Sequence, residues 1–462
     1  MADSLLTLPV REIGRLYARK KLSPVDVTKA CLKQTAKLNP LLNAFCHLDD
    51  ASALRQARAA ETRWFKKNAK SQIDGIPTTI KDWFHVKGWP TRQGSLLTSS
   101  KPQKEDSLPV QNLRRAGVVF IGKTTLPEFG HKGVTHSALS GITRNPWDPD
   151  KTSGGSSGGA AVAAATGMGF LHLGSDAGGS VRIPAAFCGV FGFKPSPGLL
   201  PSWPPSLFSS LSSIGPLTRR VEDAAFMLDA LQIPFAQDFH AVSCAPMQFS
   251  RGPKKPLRPL RILCVDRING IKMTKDAQQT WDKKKKILSA LGDVAEETLH
   301  VEKLAETFAA HWTAVASFIA AEFSDRQRRK LDPRFLHWAG RGDKQHLHNY
   351  LQAEYDRMII GGFFKEQLSR FDLIATPTTP FAAFDVGIDM PRDKQGRKWQ
   401  DWNIFNAFAN LARLPSASLP LGLTDQGLPI GLQLCGRTLD DLLVMQAAQK
   451  LEDGIGFSSF IA

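Results

Sequence analysis

Apolar residues recur every three or four positions through much of residues 10–66, the spacing of a helix with one buried face. Ser23-Pro24-Val25-Asp26 supplies a capping hydroxyl, a proline for the first turn and an acid three residues after the cap. A helix is predicted from there, with Val27, Ala30, Cys31 and Leu32 on its apolar side, and another over Asp49–Trp64. The texture changes at Ile76, where Ile76-Pro77-Thr78-Thr79-Ile80 is short and β-prone. Further strands are predicted at Val118–Ile121, Leu260–Val265, Leu373–Pro377, Ser416–Leu423 and Ile430–Leu434. Helical stretches are predicted at Leu108–Ala116, Val221–Leu231, Thr274–Ala290, Val301–Phe323, Lys344–Arg370 and Asp440–Leu451. Strands alternating with helices predict a layered α/β fold with a parallel or mixed sheet. The proline- and lysine-rich stretch Ser250–Pro259 has strand candidates on both sides, so one sheet interrupted by a variable region is expected.

A chain of 462 residues that is 42% hydrophobic and 22% charged can bury a sizeable core. Its six cysteines are scattered without a C-x-x-C pair, which argues against a disulfide framework and a cysteine zinc site. The first residues lack the apolar run of a signal peptide, and no segment reaches the roughly 18 consecutive apolar residues of a membrane span. A reduced, cytoplasmic enzyme without a membrane association is therefore expected. The formal charge of +16 is partly local, because Arg251–Lys286 holds twelve Lys or Arg against three Asp. Lys283-Lys284-Lys285-Lys286 would point in all directions from a helix, so this stretch reads as a solvated face rather than a nucleic-acid groove.

Two motif matches are misleading. Gly117–Thr124 fits the P-loop expression, but Val-Val-Phe-Ile between the glycines reads as a strand whose N–H groups belong to a ladder rather than to a phosphate. Gly155-Ser156-Ser157-Gly158-Gly159 fits the G-x-S-x-G nucleophile elbow, yet Asn145–Asp150 before it is turn chemistry and not the required strand. His346 and His348 lie two positions apart and do not share a helical face, so no metal site is expected there.

What remains is a lysine after a short apolar strand, Lys81, and two glycine clusters carrying hydroxyls. Gly154, Gly155, Gly158 and Gly159 flank Ser156 and Ser157, and Gly178-Gly179 precede Ser180. Glycine in this density is unfavourable in a helix or strand, and it suits backbone that must approach closely and aim N–H groups at an anion. The frame around these residues resembles the amidase signature family of amide hydrolases. The matching segments are GIPTTIKD (Gly75–Asp82), GVVFIGKTTLPEFG (Gly117–Gly130), GGSSGG (Gly154–Gly159), GSDAGGSVRIPAAFCGVFGFKPS (Gly174–Ser196), IGPLTRRVEDAA (Ile214–Ala225), ATPTTP (Ala375–Pro380) and GLPIGLQLCG (Gly427–Gly436). They are in order and span nearly the whole chain.

The resemblance implies one α/β domain over 1–462, with a mixed twisted sheet of about ten strands covered by helices. Its parts would be N-terminal helices (1–66), a catalytic core (67–235), a variable specificity region (236–370) and a C-terminal return to the sheet (371–462). It also implies a Ser–cis-Ser–Lys triad of Ser180, Ser156 and Lys81, with the cis peptide at Gly155–Ser156. Backbone N–H groups of Ala177, Gly178, Gly179 and Ser180 would face the oxyanion. Apart from the motif match, Ser157 is expected to be structural, bonding nearby backbone or Lys81, and Asp176 and Arg182, which flank Ser180, to form a supporting ion pair rather than act on substrate. The chemistry is coherent. Lys81 acts as a base only when neutral, which requires burial to lower it well below the ordinary value of about 10.4. Ser156 can then accept a proton from Ser180 while giving its own to Lys81.

The family frame departs in two places. Ser212-Ser213 stand where many members carry Asp-Gln before the IGP motif, and Ser153 stands where proline is frequent. The reading is a cofactor-free, metal-free amidase acting on a small-molecule amide, with a homodimer left open. Its competitors are the amidase subunit of a tRNA-dependent amidotransferase and a basic nucleic-acid-binding scaffold without catalysis.

Overall fold

A computed structural model describes residues 5–252, 257–391 and 402–457. In chain order its strands are β1 (Phe45–Leu48), β2 (Pro77–Lys81), β3 (Val119–Thr124), β4 (His136–Ser137), β5 (Gly141–Ile142), β6 (Leu171–Asp176), β7 (Phe191–Lys194), β8 (Ser213–Thr218), β9 (Leu260–Cys264), β10 (Gly292–Glu296), β11 (Leu373–Pro377), β12 (Ser416–Leu423) and β13 (Pro429–Cys435). β4 and β5 form a separate ribbon, and the other eleven make one sheet in the order β1-β3-β2-β6-β8-β7-β12-β13-β11-β9-β10. β2 runs parallel to both of its neighbours, β3 and β6. The pairings from β6 across to β11 are antiparallel. The far edge, β11-β9-β10, is parallel again. Every residue of β2 and β3 is buried, as befits parallel strands covered on both faces.

Two apolar clusters hold the layers. One joins the N-terminal helices, the sheet and the helices Gly158–Ala165, Val221–Leu231 and Asp441–Ile455. Gly158–Ala165, sequence GGAAVAAA, is buried along its whole length, and its small side chains let it lie close to the strands. The second cluster is aromatic, built from helices Leu304–Ala321, Pro333–Gly342, Leu347–Arg370 and Ile404–Leu411. Within it Phe364 stacks on Phe408 with ring centroids 4.6 Å apart.

Several elements coincide with the pattern in the sequence: the helices Leu108–Ala116 and Val221–Leu231 and the strands β11 and β12 have the predicted bounds. Ser23 caps the helix Pro24–Leu42, accepting from Val25 N–H at 2.9 Å. Three expectations are corrected. The stretch read as helical over 10–66 contains β1, because Asn43 turns left-handed (φ 51°) and Asn39 Oδ1 accepts from Ala44 and Phe45 N–H, releasing the chain to pair with β3. The helix predicted over Thr274–Ala290 is α-helical only for Lys275–Lys284 and continues as a 3-10 turn to Ala290. β10 has no counterpart among the predicted strands, since its residues GDVAE are largely solvent-facing and carry no apolar run.

The P-loop-like segment is β3, with Lys123 in a buried ion pair with Asp82 (2.6 Å). Among the lysines at 283–286, Lys283, Lys284 and Lys286 are exposed and Lys285 meets Glu296. Lys254 and Lys255 lie outside the described residues. No described helix is long and apolar enough to cross a membrane.

Candidate active site

The site lies where β2 and β6 end. These strands are parallel neighbours, registered Thr78 to Leu171 and Ile80 to Leu173, so their carboxyl ends emerge on the same edge of the sheet. That places Lys81, the last residue of β2, beside Ser175 and Asp176 at the end of β6. Carboxyl ends of parallel strands are where α/β sheets leave a crevice for ligands.

Lys81 is buried, with 1% of its surface exposed. Its Nζ lies 2.8 Å from Ser156 Oγ, 3.0 Å from Ser175 Oγ and 3.4 Å from Ser175 O. Burial pushes the amine down from 10.5 to about 7, outweighing the opposite pull of Asp176. Near neutrality a large share of Lys81 is therefore uncharged. In the charged form Nζ donates to Ser156 Oγ and to Ser175; in the neutral form it can donate two hydrogen bonds to Ser175 and turn its lone pair to the Ser156 hydroxyl.

Ser156 is carried by the glycine run, and the Gly155–Ser156 peptide is cis. A side chain at Gly155 would put Cβ 2.6 Å from the Val134 backbone, so only glycine permits this approach. Thr135 ties the run down: its hydroxyl donates to Gly154 O (2.8 Å) and accepts from Gly158 N–H (3.1 Å). No strand leads into the run; Asn145 Nδ2 instead donates to Thr152 O and Phe187 O and shapes the preceding turn. The elbow pattern thus has no elbow.

Ser180 belongs to the loop joining β6 to the helix Arg182–Cys188. Ser157 N–H donates to Ser180 O at 3.0 Å, which docks this loop against the Ser156-Ser157 run. Ser157 Oγ donates to Ser175 O (3.3 Å) rather than bonding Lys81. The Ser180 hydroxyl makes no hydrogen bond among the described residues and, at 7% exposure against 3% for Ser156, is the more open of the two. The Lys81–Ser156 link is formed in this conformation and a Ser156–Ser180 link is not.

Asp176 and Arg182 form an ion pair with no exposed side-chain surface, Arg182 Nη2 and Nε donating to the two carboxylate oxygens at 2.9 and 3.0 Å. Burial alone would raise the Asp176 carboxyl; Arg182, Lys194 and Asn410 outweigh it and hold it well below the ordinary carboxylate range. The same carboxylate accepts from Gly179 N–H (2.7 Å) and Val181 N–H (3.1 Å), so the pair folds the loop on either side of Ser180. Gly179 is accordingly a correction to the four-donor hole: its N–H is already spent on Asp176. Among the described residues the N–H groups of Ala177, Gly178 and Ser180 have no protein acceptor.

Three supporting residues escaped the sequence reading. Ser175 holds Lys81. Asn410 donates to Asp176 and Leu211 O, and its side-chain oxygen accepts from Arg182. Gln433 Oε1 accepts from Arg182 Nη1 at 2.7 Å. Gln433 lies inside GLPIGLQLCG, where a polar residue alternating with leucines was the available signal. Asn410 had none, because its role depends on the packing of a distant helix.

A family model described as Amidase matches residues 26–445. Similar proteins include a glutamyl-tRNA(Gln) amidotransferase subunit of Solidesulfovibrio magneticus, 32% identical with 98% of each chain covered. The corresponding subunit of Trichodesmium erythraeum is 30% identical, with 98% of this chain and 99% of the relative covered. Among solved structures, a bacterial aryl acylamidase of the amidase signature family superposes with a TM-score of 0.89 at 25% identity, covering 96% of each chain. A glutamyl-tRNA(Gln) amidotransferase subunit from Thermotoga maritima gives 0.78 at 27% identity, covering 99% of this chain and 97% of that one. The chain belongs to the amidase signature family.

Proposed function

We propose that this protein hydrolyses a carboxamide to a carboxylic acid and ammonia or amine through an acyl-Ser180 intermediate. Neutral Lys81 takes the Ser156 proton as Ser156 takes that of Ser180, and Ser180 Oγ adds to the amide carbonyl. A turn of the Ser180 side chain toward Ser156 completes the relay; open catalytic hydrogen bonds before substrate binding are common. The N–H groups of Ala177, Gly178 and Ser180 receive the oxyanion. Return of the proton to the leaving nitrogen frees the amine, and water then cleaves the ester. The observation that carries this reading is a buried lysine, lowered to about 7, at 2.8 Å from Ser156 Oγ. The test is a panel of amides scored by ammonia or amine release, with Ser180→Ala as the blank. Turnover that survives in Ser180→Ala contradicts it.

A second reading is favoured by full-length identity of 30–32% to glutamyl-tRNA(Gln) amidotransferase subunits. In it the same hydrolysis releases ammonia from an amide donor for transfer onto a charged tRNA with partner subunits. Co-purification with such partners and tRNA, and turnover that depends on them, would support it. Vigorous hydrolysis by the isolated chain favours the first.

A further inference from the structure

A cavity of about 370 Å³ meets the proton-relay side of the site. Ser175, which holds Lys81, forms part of its wall. So does Phe129, whose neighbour Gly130 lies so close to Ser156 that a Cβ there would sit 3.3 Å from the Ser156 hydroxyl. This volume is at the small end of the range that holds compact organic ligands. A larger hollow of about 810 Å³, edged by Arg357, Arg413 and Arg437, lies elsewhere and lacks Ser175, while Lys81, Ser156 and Ser180 line neither hollow.

The lining of the smaller cavity is aromatic: Trp83, Phe129, Trp203, Phe318 and Phe323 all contribute. Its polar groups are mostly hydroxyls, among them Ser175, Ser202, Ser206 and Ser212. No lysine or arginine among the described residues lines it, and Glu322 is its one carboxylate. His85 also reaches it, and burial together with Lys123 lowers that imidazole and favours its neutral form.

The rim is apolar yet open to water. Trp203, Leu207 and Phe318 are 40%, 49% and 58% exposed, and all three border this one cavity. Large apolar side chains gathered at a mouth are stabilised by an apolar occupant, and aromatic walls favour a flat ring through offset or edge-on contacts.

We infer that this cavity receives the side group of the substrate and that the preferred substrate is an uncharged carboxamide bearing an aromatic ring. The inference rests on the amide-hydrolase reading above and narrows it. Free glutamine is disfavoured as amide donor, because its α-carboxylate would find no lysine or arginine in the lining and would be desolvated unpaired, even with its α-ammonium beside Glu322.

The test uses the full chain and four amides: phenylacetamide, acetanilide, propionamide and L-glutamine, followed by release of ammonia or aniline. At least one of the first two is expected to exceed propionamide in kcat/KM by ~100-fold, and glutamine by more. Which of the two leads tells whether the ring sits on the acyl or the amine side. Phe318→Ala is expected to narrow the gap between the ring-bearing amide and propionamide by about tenfold. Glutamine or propionamide turned over as fast as both ring-bearing amides overturns the inference while leaving the hydrolase reading intact. Ser180 labelled by a fluorophosphonate with neither ring-bearing amide turned over also overturns it. No labelling and no turnover of any of the four sinks the hydrolase reading itself.

Discussion

Arg182 lays its guanidinium across both carboxylate oxygens of Asp176, and neither side chain exposes any surface to solvent. The carboxylate also accepts from Gly179 and Val181 N–H, on either side of Ser180. The pair therefore sets the backbone on either side of Ser180, the proposed nucleophile, without touching its hydroxyl. Replacing Asp176 by Asn would leave a buried guanidinium without its counter-charge, a change that costs about 3–5 kcal/mol where one partner of a buried pair is removed. Asp176→Asn is expected to lose stability of that order in a denaturant titration and to lose activity. An unchanged midpoint would remove the pair from the account.

Burial of Lys81 comes at the expense of stability near neutral pH. Its amine falls from 10.5 unfolded to about 7 folded. Between those values the unfolded chain binds more protons at this site, so the contribution of Lys81 to stability improves as pH rises from about 7 to 10.5. Lys81→Met removes this dependence. The variant is expected to be inactive yet at least as stable as the parent at pH 7. Its advantage should be greatest at pH 7 and below and should shrink toward pH 10.5, as read by denaturation at several pH values. A strongly destabilised Lys81→Met would contradict a lysine kept for catalysis.

In the proposed mechanism the same ionisation governs rate. Below about 7 Lys81 becomes charged and cannot take the Ser156 proton. The logarithm of kcat/KM should climb with unit slope toward about pH 7 and then level, so the rate at pH 5 is ~100-fold below the plateau. A profile that is flat from pH 5 to 8 would exclude Lys81 as the base.

Gly178 N–H is one of the proposed oxyanion donors. A Cβ there would lie 2.5 Å from Phe308 Cζ and 3.5 Å from Asn403 Nδ2, so Gly178→Ala must displace the ring or the loop. Loss of one oxyanion donor typically costs about 100- to 1,000-fold in kcat. Gly178→Ala is expected to fall in that range with the far-ultraviolet circular dichroism unchanged. Retention of full activity would place the oxyanion elsewhere.

The candidate site and much of the fold were legible in the sequence through different signals. Lys81 after a β-prone run, the GGSSGG segment and the GGS cluster announced themselves because close backbone approach forbids side chains there. The long helices and the Val- and Leu-rich strands were equally legible from their periodicity. Strands β6, β7 and β8 were not, since their glycines, serines and charged residues are buried by neighbouring strands rather than by their own apolar pattern. β1 escaped for a different reason: one left-handed Asn43 separates it from a long helix. A supporting pair of Asp176 and Arg182 was suggested by their places on either side of Ser180, whereas Asn410 and Gln433, which complete it, come from more than 220 positions away and become neighbours only when β13 and the helix Ile404–Leu411 pack.

The central claim is that uncharged Lys81 activates Ser180 through Ser156. The most direct measurement is the rate at which a fluorophosphonate labels Ser180, followed by intact-protein mass across pH 5–9 in the parent and in Lys81→Met. Labelling is expected to accelerate through about pH 7 in the parent and to be lost by ~100-fold or more in the variant. Labelling of Lys81→Met at the parental rate, with the same pH dependence, would contradict it.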